Sequence, residues 1–209
     1  VYDAVQEQVF LRHHLLFGKL RDAILKQHLV MHYQPQISLK TGLVIGAEAL
    51  VRWPDPEEGM IGPMGFIPVA EESGLIRPLT KWVVGECMRE CARWHAAGLQ
   101  LDVSINLSAM NLMDPELMGV LQASLAETGL APKRVNLEIT ESCFMASPKR
   151  AMDGIQSIHE AGFKLSIDDF GTGYSSLSYL KNLPIDELKI DQSFVRKLLQ
   201  TPGDQAIVE

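Results

Sequence analysis

The stretch Ser166-Ile167-Asp168-Asp169-Phe170-Gly171-Thr172-Gly173-Tyr174 carries an apolar strand into two adjacent carboxylates and then a glycine-rich turn. Side chains alternate along a strand, so Asp168 and Asp169 cannot both point into one core, and neighbouring anions repel. A divalent cation is the simplest agent that makes such a pair favourable. The other strand ends should then supply further oxygen ligands.

Outward from that stretch, strands and helices alternate. Residues 1–27 lack proline and read as one amphipathic helix. Residues 30–37 read as a strand, and Lys40-Thr41-Gly42 turns it into a second at 43–51. A Pro/Gly-rich loop at 54–65 precedes a short helix at 66–72 and a long one at 78–97. Further strands are expected at 102–107, 134–139, 163–168 and 187–190. Helices are expected at 115–128, 148–161 and 175–180, with a last helical stretch at 192–199 before Pro202-Gly203. Strands rich in Val, Ile and Leu with helices between them predict a parallel sheet covered by helices. The turn between the first two strands is too short for a crossover, which makes that pair antiparallel. The expected fold class is α/β: a TIM-like (β/α)8 barrel with an antiparallel first strand, six of whose eight strands are visible.

Composition narrows the function classes. The 209 residues are 46% hydrophobic and 22% charged, as in a soluble globular protein with ample core material. A net charge of −7 argues against a non-specific nucleic-acid surface. No apolar run is long enough to span a bilayer, and no secretory signal opens the chain. Three cysteines, an odd number, do not make a disulfide framework and suit a reduced, cytoplasmic setting.

The polar strand ends follow a common chemistry. The second strand carries Glu48 in Ala47-Glu48-Ala49-Leu50, then Arg52; the third ends at Asn106; the fourth at Glu138, with Glu141 beyond. The fifth ends at Asp168 and Asp169, and the sixth carries Lys189 and Asp191. Polar groups at the carboxyl ends of successive strands form the layout of a barrel active site. Carboxylate and amide oxygens suit Mg²⁺ or Mn²⁺, and their number suits two ions sharing a bridging carboxylate. Two such ions clamp the attacking and leaving oxygens of an in-line phosphoryl displacement, with a protonated lysine stabilising the phosphate or orienting water. Taken singly, each residue has a plainer reading: Glu48 as an ion-pair partner of Arg52, Asn106 as a cap, Glu141 as a loop brace, Lys189 as a solvated strand end. Their joint recurrence favours the site. Asp169-Phe170-Gly171 matches the protein-kinase metal triplet without its His-Arg-Asp loop, and Gly171-Thr172-Gly173 lacks the Gly-Lys-Ser/Thr of a P-loop. A barrel glycosidase using Glu48 and Glu138 is disfavoured by the aspartate pair, Lys189 and the low aromatic content.

Together these residues resemble the EAL domain, the bacterial phosphodiesterase module that cleaves cyclic di-GMP. The naming motif stands as Glu48-Ala49-Leu50 followed by Arg52. The companions are Tyr33-Gln34-Pro35, Asn106-Leu107-Ser108-Ala109, Glu138-Ile139-Thr140-Glu141-Ser142, residues 168–180 and Leu188-Lys189-Ile190-Asp191. The resemblance covers residues 28–209, leaving 1–27 as a connector helix from an upstream sensory or GGDEF-type domain. It implies metal ligation by Glu48, Asn106, Glu138, Asp168 and Asp169, and catalytic roles for Lys189 and Glu48. It also implies contacts to the dinucleotide from Gln34, Leu50, Arg52 and Asp191. Glu141 would brace the loop at 168–176, which links the site to homodimerisation in the family. The implied reaction hydrolyses cyclic di-GMP to linear pGpG with Mg²⁺ or Mn²⁺; the alternative is a receptor that binds the dinucleotide without cleaving it. The family adds two more strands, with a further site glutamate, beyond the motifs present here. The resemblance therefore predicts a barrel truncated at its C-terminal side, in a cytoplasmic or membrane-anchored parent protein.

Overall fold

Helix α1 (Ala4–Leu25) leads into a hairpin of β1 (Val30–Ile37) and β2 (Val44–Asp55), antiparallel as its short turn requires. The structure, a computed structural model, describes residues 4–141, 143, 147–171 and 183–196. The segment expected to be a loop at 54–65 instead extends β2 and adds a three-residue strand, β3 (Gly59–Ile61), folded back on it. The Asp55 carboxylate closes that turn by accepting from the backbone N–H groups of Glu57 and Glu58 at 2.8 and 2.9 Å. This local side-chain bond makes a hairpin in a stretch too short to show a period.

Helices α2 (Pro63–Ser73) and α3 (Ile76–Ala96) begin before their expected starts. Pro63 occupies the first turn of its helix, where its missing N–H leaves no bond unmade. After β4 (Asp102–Leu107), the single helix expected at 115–128 is preceded by a short one, α4 (Ala109–Leu112), capped reciprocally by Ser108 and Asn111, before α5 (Leu117–Thr128). A 3-10 turn, Pro132–Arg134, leads into β5 (Val135–Thr140), then α6 (Pro148–Glu160), β6 (Lys164–Phe170), β7 (Glu187–Ile190) and α7 (Gln192–Arg196). The helix expected at 175–180 and the features expected beyond residue 196 lie outside the described residues.

Among the described residues the sheet runs β1-β2-β4-β5-β6-β7, with β3 attached to β2, giving seven strands there where six were expected. All pairings from β2 through β7 along this order are parallel. Among the described residues the sheet is not closed by hydrogen bonds, and its edges are β1 and β7. This is the α/β architecture of an open TIM-like barrel.

Parity along β4, β5 and β6 decides what each face meets. One parity supplies Val103, Ile105, Val135, Leu137, Ile139, Leu165 and Ile167, fully buried in one core with Val84 and Met88 of α3, Leu121 of α5, and Ile155 and Ile158 of α6. The other parity is polar throughout: Asp102-Ser104-Asn106, Asn136-Glu138-Thr140 and Lys164-Ser166-Asp168. Asp102 at one end of this polar face pairs with Arg134 at 3.0 Å and Lys164 at 2.7 Å. Above it, Asn136 Nδ2 donates to Ser104 Oγ at 3.2 Å and Ser166 Oγ at 3.0 Å, and Gln36 Nε2 donates to Ser104 Oγ at 3.2 Å. Cys87, Cys91 and Cys143 are free and buried. No helix among the described residues is long and apolar enough to cross a membrane.

Helix α6 crosses α4 closely enough that glycine is required at the contact. A Cβ at Gly154 would lie 2.5 Å from the Leu112 carbonyl oxygen and 3.1 Å from its Cδ1. Gly154→Ala should therefore cost about 1–3 kcal/mol despite its better helix propensity. Urea unfolding would show this as a lower midpoint, and an unchanged or raised midpoint would refute the α4–α6 packing.

Candidate active site

The upper layer of the polar face converges on one ammonium group. Lys189 Nζ, on β7, donates to Glu48 Oε2 on β2 at 3.0 Å, Glu138 Oε2 on β5 at 2.5 Å and Asp168 Oδ2 on β6 at 3.0 Å. Asn106 Nδ2, on β4, donates to Glu48 Oε1 at 2.9 Å. Five side chains from five strands thus form one connected cluster. Glu48 is bound to Lys189 and Asn106, which replaces the ion pair with Arg52 as its plain reading; the Arg52 guanidinium donates to the Val51 carbonyl oxygen at 2.9 Å.

Asp169 reaches the same region through a break in the ladder. Ile167 pairs with Leu188 and Phe170 with Ile190, so Asp168 and Asp169 together face the single residue Lys189. This is a β-bulge, which bends the strand and re-aims side chains. Asp169 takes a left-handed backbone with φ 53°, and its N–H donates to Asp168 Oδ1 at 2.9 Å. The bulge breaks the simple alternation that two adjacent carboxylates would otherwise follow, and the charges of Asp168 and Lys189 act on Asp169 there.

The electrostatics follow from this crowding. Burial lowers the Lys189 pKa, but hydrogen bonds and charge from Glu138 and Glu48 outweigh it and hold the ammonium above the ordinary lysine value. The Glu138 carboxyl is fully buried and is pushed up by desolvation; Lys189 opposes that shift, Glu48 adds to it and Ser104 draws it back down. Asp169 is raised by desolvation and by the negative charges of Asp168 and Asp191, against the pull of Lys189.

Glu48, Glu138 and Asp168 present carboxylate oxygens within 4.8 Å of one another. Glu138 Oε1 is buried without a hydrogen-bond partner among the described protein groups. An all-oxygen donor set with a buried lone pair to spare fits a hard divalent cation such as Mg²⁺ or Mn²⁺.

The remaining expected residues surround the cluster. Gln34 pairs in register with Glu48 across the hairpin and is exposed. Leu50 and Arg52 lie two and four residues past Glu48 on the same face of β2, both half-buried. Asp191 follows β7, where its Oδ1 accepts from Ser193 N–H at 2.8 Å at the start of α7. Glu141 is buried, and its Oε2 accepts from the Gly171 N–H at 3.3 Å, at the start of the loop it was expected to brace. The rest of that loop, 172–176, lies outside the described residues. Sequence reasoning missed Ser104, Asn136 and Ser166, the hydrogen-bonded layer beneath the cluster. Their signal was the strand period: each stands two residues before Asn106, Glu138 or Asp168.

Comparison with known proteins places this geometry among relatives. A family model described as EAL domain matches residues 18–209. "Cyclic di-GMP phosphodiesterase PdeR" of Escherichia coli (strain K12) is 44% identical over 189 residues, spanning 90% of this chain and 28% of that protein. "Bifunctional diguanylate cyclase/cyclic di-GMP phosphodiesterase MucR" of Pseudomonas aeruginosa is 40% identical over 204 residues, spanning 97% of this chain and 29% of that protein. The chain therefore spans less than a third of the length of these curated relatives. The solved structure "PaMucR Phosphodiesterase, c-di-GMP complex" superposes with a TM-score of 0.87 at 40% identity, covering 93% of this chain and 79% of that one.

The shared ammonium has a measurable signature in chelator-treated protein. A lysine pKa raised on folding contributes stability that is complete below the ordinary lysine value and is lost as pH rises through the folded value. Neutral pH lies inside that window, so Lys189→Met should lower the melting temperature there. Burial raises the Glu138 carboxyl above the ordinary glutamate range, so acidification returns its proton early, weakens its pairing with Lys189 and should narrow the gap from wild type. Equal melting temperatures at neutral pH would show that the ammonium does not hold the cluster together.

Proposed function

The chain belongs to the EAL domain family, and on that premise we propose that it is a metal-dependent phosphodiesterase module that hydrolyses cyclic di-GMP to linear pGpG. The observation that carries this reading is the convergence of Glu48, Asn106, Glu138, Asp168 and Lys189 from five strands on one point. The names of the relatives support the choice of substrate.

In this reading Glu48, Asn106, Glu138, Asp168 and Asp169 would hold two Mg²⁺ or Mn²⁺ ions. When bound, such ions supply Lewis-acid stabilisation of the phosphodiester and lower the pKa of a coordinated water. The protein's own residues do the rest. Lys189 keeps its proton at neutral pH and offers a charge-assisted donor to a phosphate oxygen or to the attacking water. Arg52, on the same face of β2 as Glu48, carries a planar guanidinium whose paired N–H donors can bind two oxygens of a phosphate. Gln34 and Leu50 flank the same strand pair and would meet the nucleotide, with Asp191 at the opposite edge. Glu48 serves in this reading both as ligand and as catalytic residue, because it touches Lys189 as well as the metal position.

We extend the proposal to the organisation of the parent protein. Helix α1 acts as the connector from an upstream signal-sensing or GGDEF-type module, residues 28–209 form the EAL domain, and the loop after β6 mediates homodimerisation. The module works in the cytoplasm, where cyclic di-GMP is made and read.

The test uses the full-length protein with cyclic di-GMP, following pGpG by chromatography. Turnover should require Mg²⁺ or Mn²⁺, vanish with a chelator and return on adding metal. Glu48→Ala should reduce the rate at least about a hundredfold, the upper end of what disturbing a metal's supporting residues costs. Arg52→Ala should raise KM more than it lowers kcat. Calorimetric binding of cyclic di-GMP with no pGpG after long incubation would replace the enzyme with a receptor; neither binding nor turnover would remove both readings.

A further inference from the structure

The Asp168–Asp169 bulge needs something to hold it. A non-glycine residue in the left-handed region costs on the order of 1–3 kcal/mol and persists only where its surroundings over-determine it. Asp169 is such a residue, with φ 53°, and Gly171 follows two positions later with φ 97°. Tension at this turn would be relieved by letting Asp169 swing away from Lys189 and Asp168, so the turn must be pinned beyond it.

Two groups meet Gly171 from opposite elements. The Glu141 carboxylate, beyond the end of β5, accepts its N–H at 3.3 Å. The ring of Phe194, on α7, occupies the space beside its Cα: a Cβ built there would lie 2.8 Å from Cε2 and 3.0 Å from Cζ. The ring is placed by a short relay from the same ladder. Asp191 N–H donates to the Phe170 carbonyl oxygen at 3.4 Å, Asp191 Oδ1 accepts from Ser193 N–H at 2.8 Å, and Phe194 N–H donates to the Asp191 carbonyl oxygen at 3.2 Å. Phe170, inside this circuit, packs against the hydrophobic core. Phe194 itself is half-exposed, and its ring lies against the Gly171 backbone.

We propose that Phe194 is a positioning residue for the Asp168–Asp169 pair, acting through Gly171, and that it thereby sets the metal affinity of the site. The inference rests on the metal-centre reading above. Glu141 fixes Gly171 by its amide and Phe194 fixes it by its face, so the turn cannot relax without moving one of them. Asp191 then serves by capping the helix that delivers the ring, a role independent of any contact with the dinucleotide.

The test titrates Mn²⁺ into the full-length, metal-stripped protein by calorimetry, with amide hydrogen exchange at Asp169 and Gly171 as a metal-free readout. Phe194→Ala should weaken Mn²⁺ binding about tenfold, within the range seen when a residue orienting a metal ligand is lost, and should speed exchange at both amides. Phe194→Leu, which keeps bulk beside Gly171, should recover most of the affinity. Gly171→Ala should weaken binding in the same direction, and adding Phe194→Ala to it should cost less than Phe194→Ala alone, because both act on one contact. A purely structural role predicts a lower melting temperature with unchanged Mn²⁺ affinity, and that result overturns the proposal. Should Phe194→Ala fail to fold, Phe194→Leu and Gly171→Ala decide the matter by the same affinities. Wild-type protein that binds no Mn²⁺ would defeat the metal-centre reading and this inference together; wild-type binding with Phe194→Ala unaffected defeats this inference alone.

Discussion

One ammonium group shared by three carboxylates organises the functional end of this sheet. Glu48, Glu138 and Asp168 come from β2, β5 and β6, and without a cation between them their charges would drive those strand ends apart. Lys189 supplies that cation from β7, at the open edge of the sheet. Its bond to Glu48 joins the second strand to the last one described, across the barrel interior instead of around the ladder. The site therefore does structural work: it ties together strands that the backbone hydrogen bonds connect only through their neighbours.

The strands, the antiparallel first pair and the site cluster were legible in the sequence because each leaves a local mark. Period-two alternation marks β4 to β6, a turn too short for a crossover marks the hairpin, and a polar residue breaking each apolar run marks the strand ends. What stayed hidden lacks such a mark. Strand β3 is three residues long and is held by an Asp55 turn, below the length at which alternation can be read. The bulge at Asp168–Asp169 appears in the sequence only as a contradiction, two carboxylates where one parity allows one. Its resolution depends on the register with β7, a long-range property. The Phe194 contact is invisible for the same reason, since nothing local to residue 194 records that its ring will meet a glycine 23 positions earlier.

The bulge also shows how backbone strain and electrostatics are linked here. Asp169 is raised above the ordinary aspartate range by desolvation and by its acidic neighbours, and it also holds an unfavourable φ. The electrostatic penalty falls as the carboxylate moves away from Asp168, and the backbone penalty falls as Asp169 leaves the left-handed region. Retaining it therefore requires restraint from beyond the strand, which Glu141 and the α7 helix are placed to give through Gly171. A cation at the cluster would act in the same direction by removing the repulsive part of the cost.

The polar layer beneath the cluster follows from the burial of Glu138. Its carboxyl is fully buried, and desolvation already raises its pKa. Barrel interiors are ordinarily filled with branched apolar side chains. Such a layer in place of Ser104, Asn136 and Ser166 would remove the hydroxyl that draws the Glu138 pKa down and would leave the carboxylate facing hydrocarbon. A carboxyl that retains its proton pairs poorly with Lys189 and cannot serve as an anionic ligand. Charged residues in that layer would fail differently, since an added anion would raise Glu138 further and an added cation would compete with Lys189. Neutral hydrogen-bonding side chains are the remaining solution: they supply dipoles without net charge, and Asn136 holds both serine hydroxyls in place from the strand that carries Glu138.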